Sequence, residues 1–539
     1  MTRIAPRITT ASPIAALLST DGYKQSHRMI FEGPGSGNGD STGTTRILIN
    51  WTNRSNKFMP GSSHVVVFGV QAFAQEYLTE AWASFFAADV EEVCRLFEEE
   101  LLAYFGPNNI GSDHIRALHN LGYLPIKICA LPEGTLAPIG VATLTVENTR
   151  DDFFWLPNYL ETPLSASIWH PQTTATIALE YRELMEEWAK KTGGDLASID
   201  FQAHDFSMRG QTSIESAAAS GAGHLTSFLG TDSMPSLDWI RRYYPGANNG
   251  WIAASVPATE HSVMCVRGEA GELDTFHRVL DAFPTGIVSV VADGYDFFKV
   301  ITKTLMDPFL CARIMSRDGK LVIRPDSGDP VDIICGTRKP RIRSHFGEDY
   351  EYWPTEDEMT PEELGTVRIL ARNFGTKCNA KGFEELDSRI GVIYGDSITI
   401  DRARRIFVLL EEMGFASTNV VLGIGSYTYQ MVSRDSLGSA VKATHGVVDG
   451  FGIDIQKDPK TGGGGKKSAK GRIALFRDET GEIHQIDQAT PEDEARSLLQ
   501  PVWEDGFFLV HQSFGDIRAN LKAERAARAA RDAKRLVLA

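Results

Sequence analysis

Lys320-Leu321-Val322-Ile323-Arg324-Pro325-Asp326-Ser327-Gly328 runs from an apolar, β-branched stretch straight into a turn of charged, hydroxyl and glycine residues. A short apolar run bounded by turn residues reads as a buried strand. An arginine and a carboxylate at its carboxyl end read as chemistry rather than packing. The layout recurs along the middle of the chain. Ser198-Ile199-Asp200-Phe201 leads to His204-Asp205-Phe206, and Ser227-Phe228-Leu229 leads to Gly230-Thr231-Asp232. Gly286 to Val291 leads to Asp293-Gly294, Ile390 to Tyr394 to Gly395-Asp396-Ser397, and Val420 to Leu422 to Gly423-Ile424-Gly425-Ser426. Gln211 to His224, Asp296 to Met306 and Ile400 to Met413 carry helical spacing between them. Strand, functional tip and helix in repetition predict an α/β fold, an irregular (β/α) barrel with its site at the carboxyl ends of the strands. A doubly wound open sheet would also place ligands there. The chain lacks the Gly-x-Gly-x-x-Gly turn with a following acid that marks that alternative, so the barrel is the expectation.

Outward from this core, the flanks change character. Phe68 to Phe85 and Val90 to Phe105 read as helices; Ile126 to Ala130, Leu144 to Val146, Arg472 to Phe476 and Phe507 to Val510 read as strands. The expected division is a flanking α+β part over 1–164, the barrel over 165–445, and a segment over 446–539 that completes the flanking domain. Ile517 to Leu538, rich in Ala, Arg, Lys and Glu, predicts an exposed terminal helix. Gly33 to Gly43, Thr461 to Lys470 and the basic-then-acidic stretch Gly336 to Leu364 read as loops or surface excursions.

With 539 residues, 42% hydrophobic and 23% charged, the chain has enough apolar surface for a large core. Its 54 basic and 70 acidic residues argue against non-specific nucleic-acid binding, which needs a basic face. Six scattered cysteines without a Cys-x-x-Cys pair indicate reduced thiols and a cytoplasmic setting rather than a disulfide framework or a zinc site. Neither a secretory signal nor a membrane span of roughly 20 apolar residues is expected.

Taken together, the strand ends supply Asp232, Asp293, Asp326 and Asp396 with Arg209 and Arg324, beside glycine turns at Gly395 and Gly425. Exposed backbone N–H groups of such turns cradle phosphate, and arginine forks grip its oxygens. Carboxylates hold ribose hydroxyls or the water shell of Mg²⁺. The composite reads as a phosphosugar site.

Ordered motifs extend this reading across most of the chain. Thr20-Asp21-Gly22-Tyr23-Lys24, Val146-Glu147-Asn148-Thr149, His204-Asp205-Phe206-Ser207-Met208-Arg209-Gly210, Gly230-Thr231-Asp232, Ser255-Val256-Pro257-Ala258-Thr259-Glu260-His261-Ser262, Ile323 to Gly328 and Lys457-Asp458-Pro459 resemble the nicotinamide phosphoribosyltransferase family, type II phosphoribosyltransferases. The resemblance implies transfer of phosphoribose from phosphoribosyl pyrophosphate to nicotinamide, in a homodimer with Mg²⁺ and shared active sites. By that resemblance, Phe206 and Tyr23 of the partner subunit sandwich the pyridine ring, Asp21 belongs to the same substrate-binding set, and Arg209 borders the base. Arg324 contacts the sugar-phosphate, Asp326 holds ribose hydroxyls, and Asp293 lies in the Mg²⁺-pyrophosphate region. Gly395 and Asp396 line the ribose side, and Gly425 and Ser426 the 5′-phosphate. Arg54, Arg434, Lys442 and Lys457 match basic residues that reach the phosphates. The histidine matching His261 is phosphorylated by ATP in this family, which implies ATP as a coupled co-substrate.

Asp232 bears on the choice of base. A carboxylate accepts a hydrogen bond from a carboxamide N–H₂ and repels a second carboxylate, which favours nicotinamide over the nicotinate used by the nearest alternative. Other readings are a different phosphosugar enzyme such as an isomerase, and a non-catalytic ligand-binding protein. Three features depart from the family pattern: Ser426 and Tyr427 follow Gly425 where a glycine triplet is common, Asn56 stands at a usually basic position, and Gly33 to Gly43 has no counterpart. Tyr427 is expected to narrow or re-aim the phosphate pocket.

Overall fold

The computed structural model describes residues 12–32, 43–246, 251–345, 348–395, 397–457 and 468–538. The chain divides into two compact units. The first comprises Met1–Thr176, Trp239–Asn249 and Ser433–Ala539, the second Ile177–Asp238 and Gly250–Val432. This corrects the expected contiguous barrel over 165–445. Trp239–Asn249 joins the first unit because its aromatic rings pack there: Tyr244 stacks on Phe68 at 5.5 Å between centroids, and Trp239 lies 5.9 Å from the same ring.

The second unit is built on six parallel strands: β1 (Ala203–Asp205), β2 (Gly230–Thr231), β3 (Gly286–Val291), β4 (Gly319–Arg324), β5 (Ile390–Tyr394) and β6 (Val420–Ile424). Their order across the sheet is β2-β1-β6-β5-β4-β3. Val288, Val290, Leu321, Ile323 and Leu422 are fully buried, as expected of strands in a covered parallel sheet. The extended segment 254–259 bridges both edge strands in parallel, Ala254 to Gly230 and Ala258 to Ser289. The expected strand over Ser198 to Phe201 is a single 3₁₀ stretch, Leu196–Phe201, and the strand begins only at Ala203.

Helix caps fix where each strand end turns. Asp329 accepts from the backbone of Val331 at 2.9 Å, and Pro330 occupies the first turn of helix Pro330–Cys335. Helix Ile400–Glu412 is capped by Thr399 and buries Ala403, Ile406, Phe407 and Leu410, a stripe at the 3.6-residue period.

In the first unit, seven strands form one antiparallel sheet in the order Phe451–Asp454, Ser439–Val448, Thr44–Asn53, Ala142–Asn148, Ile126–Ala130, Gln500–Glu504, Phe507–Phe508. Three strands of the amino-terminal flank therefore lie side by side, with two strands of the carboxyl-terminal flank on either side of them. The last helix, Phe514–Leu538, departs from the exposed helix expected: Phe514, Ile517 and Leu521 are buried. Their spacing makes a narrow apolar stripe inside an otherwise Ala- and Arg-rich sequence. Nearly all of the expected glycine-rich loop (33–42), Asp396, and 458–467, which includes most of the expected loop at Thr461 to Lys470, lie outside the described residues.

Candidate active site

Ile323 is the last fully buried residue of β4, and Arg324 ends the strand at the carboxyl-terminal face of the sheet. The turn that follows is held by three contacts. The N–H of Gly395 donates to the Pro325 carbonyl at 3.2 Å. The N–H of Asp326 donates to Asp293 Oδ2 at 3.1 Å, and the Ser327 hydroxyl donates to the same oxygen. A Cβ at Gly395 would sit 1.9 Å from Asp326 Oδ1, so any side chain there displaces the Asp326 carboxylate. The absent side chain leaves the Asp326 carboxylate with open space at the cavity wall.

That wall belongs to a cavity of about 920 Å³ on the second unit. Phe206, Arg209, Asp232 and His261 line it, with Arg324 and Asp326. Of the other predicted residues, Gly395, Gly425 and Ser426 also line it. Asp293 lies beneath rather than in the wall. Its side chain is only 6% exposed, and its Oδ1 pairs with His261 Nε2 at 3.1 Å while Oδ2 holds the Asp326 turn. One buried carboxylate thus connects the histidine to the Asp326 turn.

Arg324 donates through Nη2 to the Thr259 carbonyl at 3.0 Å, and its guanidinium lies 5.8 Å from the centroid of the Phe206 ring. Its Nε is buried and makes no hydrogen bond among the described residues. Phe206 is also flanked by His204, ring to ring at 4.6 Å. The close approach around it demands glycine at 423, where a Cβ would meet the Phe206 ring at 2.7 Å.

Asp232 accepts from His204 Nε2 at 3.0 Å and from Ser255 Oγ at 2.6 Å, both on Oδ1. Its Oδ2 makes no hydrogen bond among the described residues. Burial pushes this carboxyl up, yet the His204 and Ser255 hydrogen bonds and the charge of Arg324 outweigh it and hold it below the ordinary aspartate value. Asp232 is therefore anionic throughout the neutral range. His204, Ser255, Thr259 and Ser327 are site residues that sequence reasoning does not single out. His204 is within its reach, since it lies two residues before Phe206 at the same strand end.

The first unit carries the other predicted group. Arg54 is anchored by its backbone N–H and Nε on the Gly438 carbonyl, at 3.3 and 3.2 Å. Lys442 stands on strand Ser439–Val448 opposite Asn50. Its proton affinity is lowered first by burial, against the pull of Glu161, and further by Arg54, Lys457 and Arg434. Arg54, Lys457 and Arg434 are thus each close enough to act on Lys442, an arrangement that an anion relieves. Tyr23 is 60% exposed, and its hydroxyl donates to Asp21 at 3.4 Å. Asp21 also accepts from Thr162 at 2.6 Å.

Two expected departures resolve differently. Tyr427 is exposed and is not among the residues that line the cavity. Asn56 donates to the Ser62 carbonyl at 2.9 Å and serves its own loop. No cluster of three or more metal-ligating side chains occurs among the described residues. Both oxygens of Asp293 are already engaged, whereas the carboxylates of Asp232, Glu260 and Asp326 line the cavity. No helix among the described residues is long and apolar enough to cross a membrane.

Comparison with known proteins completes the description. A model of the Nicotinate phosphoribosyltransferase (NAPRTase) family matches residues 201–506. The chain is 42% identical over 520 residues to the nicotinamide phosphoribosyltransferase of Acinetobacter baylyi, covering 94% of this chain and 97% of the relative. It is 32% identical to that of Xanthomonas campestris pv. campestris, covering 94% and 98%. Among solved structures it is similar to nicotinate-nucleotide pyrophosphorylase from Pyrococcus furiosus, with TM-score 0.55, 14% identity and coverage of 97% and 99%. Human nicotinic acid phosphoribosyltransferase gives TM-score 0.50, 16% identity and 94% coverage of each chain. At these identities the structural likeness carries the fold alone, a mixed α/β fold with a parallel sheet. The extent of the family match and the identity to full-length relatives place the chain in the nicotinate phosphoribosyltransferase family.

Proposed function

We propose that this protein transfers the phosphoribosyl group of phosphoribosyl pyrophosphate to nicotinamide, giving nicotinamide mononucleotide and pyrophosphate in NAD salvage. The observation that carries the choice of base is the anionic Asp232, with Oδ2 uncommitted, in the same cavity as Arg324 and Asp326. The pyridine nitrogen is a neutral nucleophile. Its lone pair forms the bond to the anomeric carbon as the bond to pyrophosphate breaks, and the leaving oxygens take the electron pair. No proton is removed, so no general base is required. The protein's part is alignment and charge stabilisation. Phe206 offers one ring face, and stacking adds about 1 kcal/mol beyond area burial. The second face is assigned to Tyr23 of the partner subunit, in a cytoplasmic homodimer. Arg209 borders the base, and Gly425 and Ser426 receive the 5′-phosphate. Asp396 is assigned with Gly395 to the ribose. Mg²⁺, held by pyrophosphate beside Asp326, would supply charge neutralisation of the leaving group. In this reading the strands and segment 254–259 form a closed irregular barrel.

Pyrophosphate release is the deciding assay: nicotinamide supports it, and nicotinate supports it at a small fraction of that kcat/KM. Comparable values for both bases, or activity with nicotinate alone, reject the reading.

ATP coupling rests on His261. A proton on Nε2, donated to Asp293, leaves the Nδ1 lone pair to attack the γ-phosphorus of ATP, with ADP departing and water later cleaving the P–N bond. Asp293 then links that event to the Asp326 turn. In His261→Ala, basal activity persists at reduced level and ATP no longer lowers KM for the substrates; ATP enhancement equal to wild type rejects the role.

Lys442 gives a pH signature. Because burial and neighbouring cations lower its proton affinity, it discharges below the ordinary lysine range as pH rises. The kcat/KM for phosphoribosyl pyrophosphate then falls on an alkaline limb below about pH 10.4, and Lys442→Arg moves that limb upward. A limb unmoved by Lys442→Arg assigns it elsewhere.

A further inference from the structure

We propose that the second unit carries an anion-binding site at the amino ends of β3, β4 and β5, built around Lys320 and suited to a phosphate group. The three strands are neighbours in the sheet. The loops before them enclose a cavity of about 640 Å³ at the end of the sheet opposite the catalytic face, and no residue is shared with the catalytic cavity.

Side-chain alternation explains how Lys320 enters it. Leu321 and Ile323 are fully buried on one face of β4, so Lys320, Val322 and Arg324 share the other. Lys320 and Arg324 are four residues apart, roughly 13 Å along the strand. Space for the lysine stem comes from Gly391 on β5, where a Cβ would meet Lys320 Cδ at 3.1 Å. The ammonium group has no hydrogen bond or ion pair among the described residues. Burial lowers its proton affinity, opposed only by Asp387. A half-buried cation without a partner is costly, and an anion is its natural complement.

Two further cations converge. Arg317, nine-tenths buried, donates to the carbonyls of Phe283, Thr285 and Gly286 and so stitches the loop before β3 to that before β4. Its Nε is buried and makes no hydrogen bond among the described residues. Arg389 spends Nη1 on Asp387, at 3.3 and 3.2 Å, which leaves its other donors uncommitted among the described residues. Thr285 and Ser388 add hydroxyls at the rim. Against these stand two carboxylates, Asp318 at the cavity wall and Asp387 paired with Arg389. Three cations over two carboxylates exclude a metal cation. A dianionic phosphate, with several acceptor oxygens, satisfies the spread donors better than a monocarboxylate does.

The test is thermal unfolding of the full chain against inorganic phosphate at constant ionic strength, since a ligand of the native state raises Tm with its concentration. Phosphate raises Tm in wild type. In Lys320→Met, phosphate affinity falls at least tenfold while kcat/KM at low phosphate stays near wild type; Lys320→Arg retains binding. The Lys320-dependent part persists in Arg324→Ala, which removes a phosphate-binding group of the catalytic cavity. Equal phosphate affinity in wild type and Lys320→Met overturns the proposal, as does an equal rise with acetate or chloride. Should Lys320→Met fail to fold, Arg389→Gln carries the same reading, with a tenfold loss expected and no loss overturning it.

Discussion

Arg324→Ala lowers kcat/KM for phosphoribosyl pyrophosphate by about a thousandfold, with Arg324→Lys recovering only part of the loss. Truncating one partner of a desolvated, hydrogen-bonded charge pair costs about 2–5 kcal/mol, and about 1.4 kcal/mol is tenfold. Arg324 sits at the upper end of that range for two reasons. Its buried Nε has no hydrogen-bond partner among the described residues, so the donor is free for a substrate oxygen. Its guanidinium also lies near the Phe206 ring, so truncation loosens the surface on which the base rests. Lysine keeps the charge but loses the fork and the planar face. Steady-state kinetics against both substrates separates the contributions: loss of the phosphate contact raises KM for the donor, and loss of ring support raises KM for nicotinamide. Full activity in Arg324→Ala removes this residue from the machinery. A small change in Tm is expected, because within the protein the Arg324 side chain donates one hydrogen bond among the described residues, to the Thr259 carbonyl.

Arg324 and Asp326 are legible from the sequence because their signal is local. A β-branched run that breaks into Arg-Pro-Asp-Ser-Gly marks a strand end, and Asp329-Pro330 marks the helix that follows. Interactions between distant strand ends are less legible. His204 and Ser255 converge on Asp232 from 28 and 23 residues away, and only the folded sheet brings them together. Segment 254–259 has no run of alternating residues, and just two bridges tie it to the edge strands, so no periodicity announces it. The terminal helix misleads for the opposite reason: Phe514, Ile517 and Leu521, its buried apolar residues, are diluted by Ala and Arg, and composition hides the stripe. For Asp293, the position two residues past β3 is legible and suggests a group facing the metal and pyrophosphate. Its role as a buried link between His261 and the Asp326 turn depends on coordinates.

Asp232→Asn lowers the preference for nicotinamide over nicotinate by about a hundredfold, chiefly by admitting nicotinate. The substitution is isosteric, and asparagine Oδ1 still accepts from His204 and Ser255, so the strand end keeps its shape. What changes is the second atom. Oδ2, the uncommitted acceptor for the carboxamide N–H₂, becomes an N–H₂ donor. Nicotinamide then presents a donor to a donor unless its amide turns over. Nicotinate gains a hydrogen bond where it had faced a like charge. Sites that pair a polar group of the substrate discriminate by up to about 10⁴–10⁵; a hundredfold allows for solvent reaching a half-exposed carboxylate. The pH behaviour has a definite sign. The wild-type carboxyl is held below the ordinary aspartate value, so discrimination stays constant from neutral pH downward and collapses only as Asp232 protonates, below about pH 3.9. Asp232→Asn has no such limb. Relative kcat/KM for the two bases, measured across that range in both proteins, decides the matter: an unchanged ratio in Asp232→Asn moves the origin of selectivity away from this carboxylate, and leaves the Arg324 half of the site untouched.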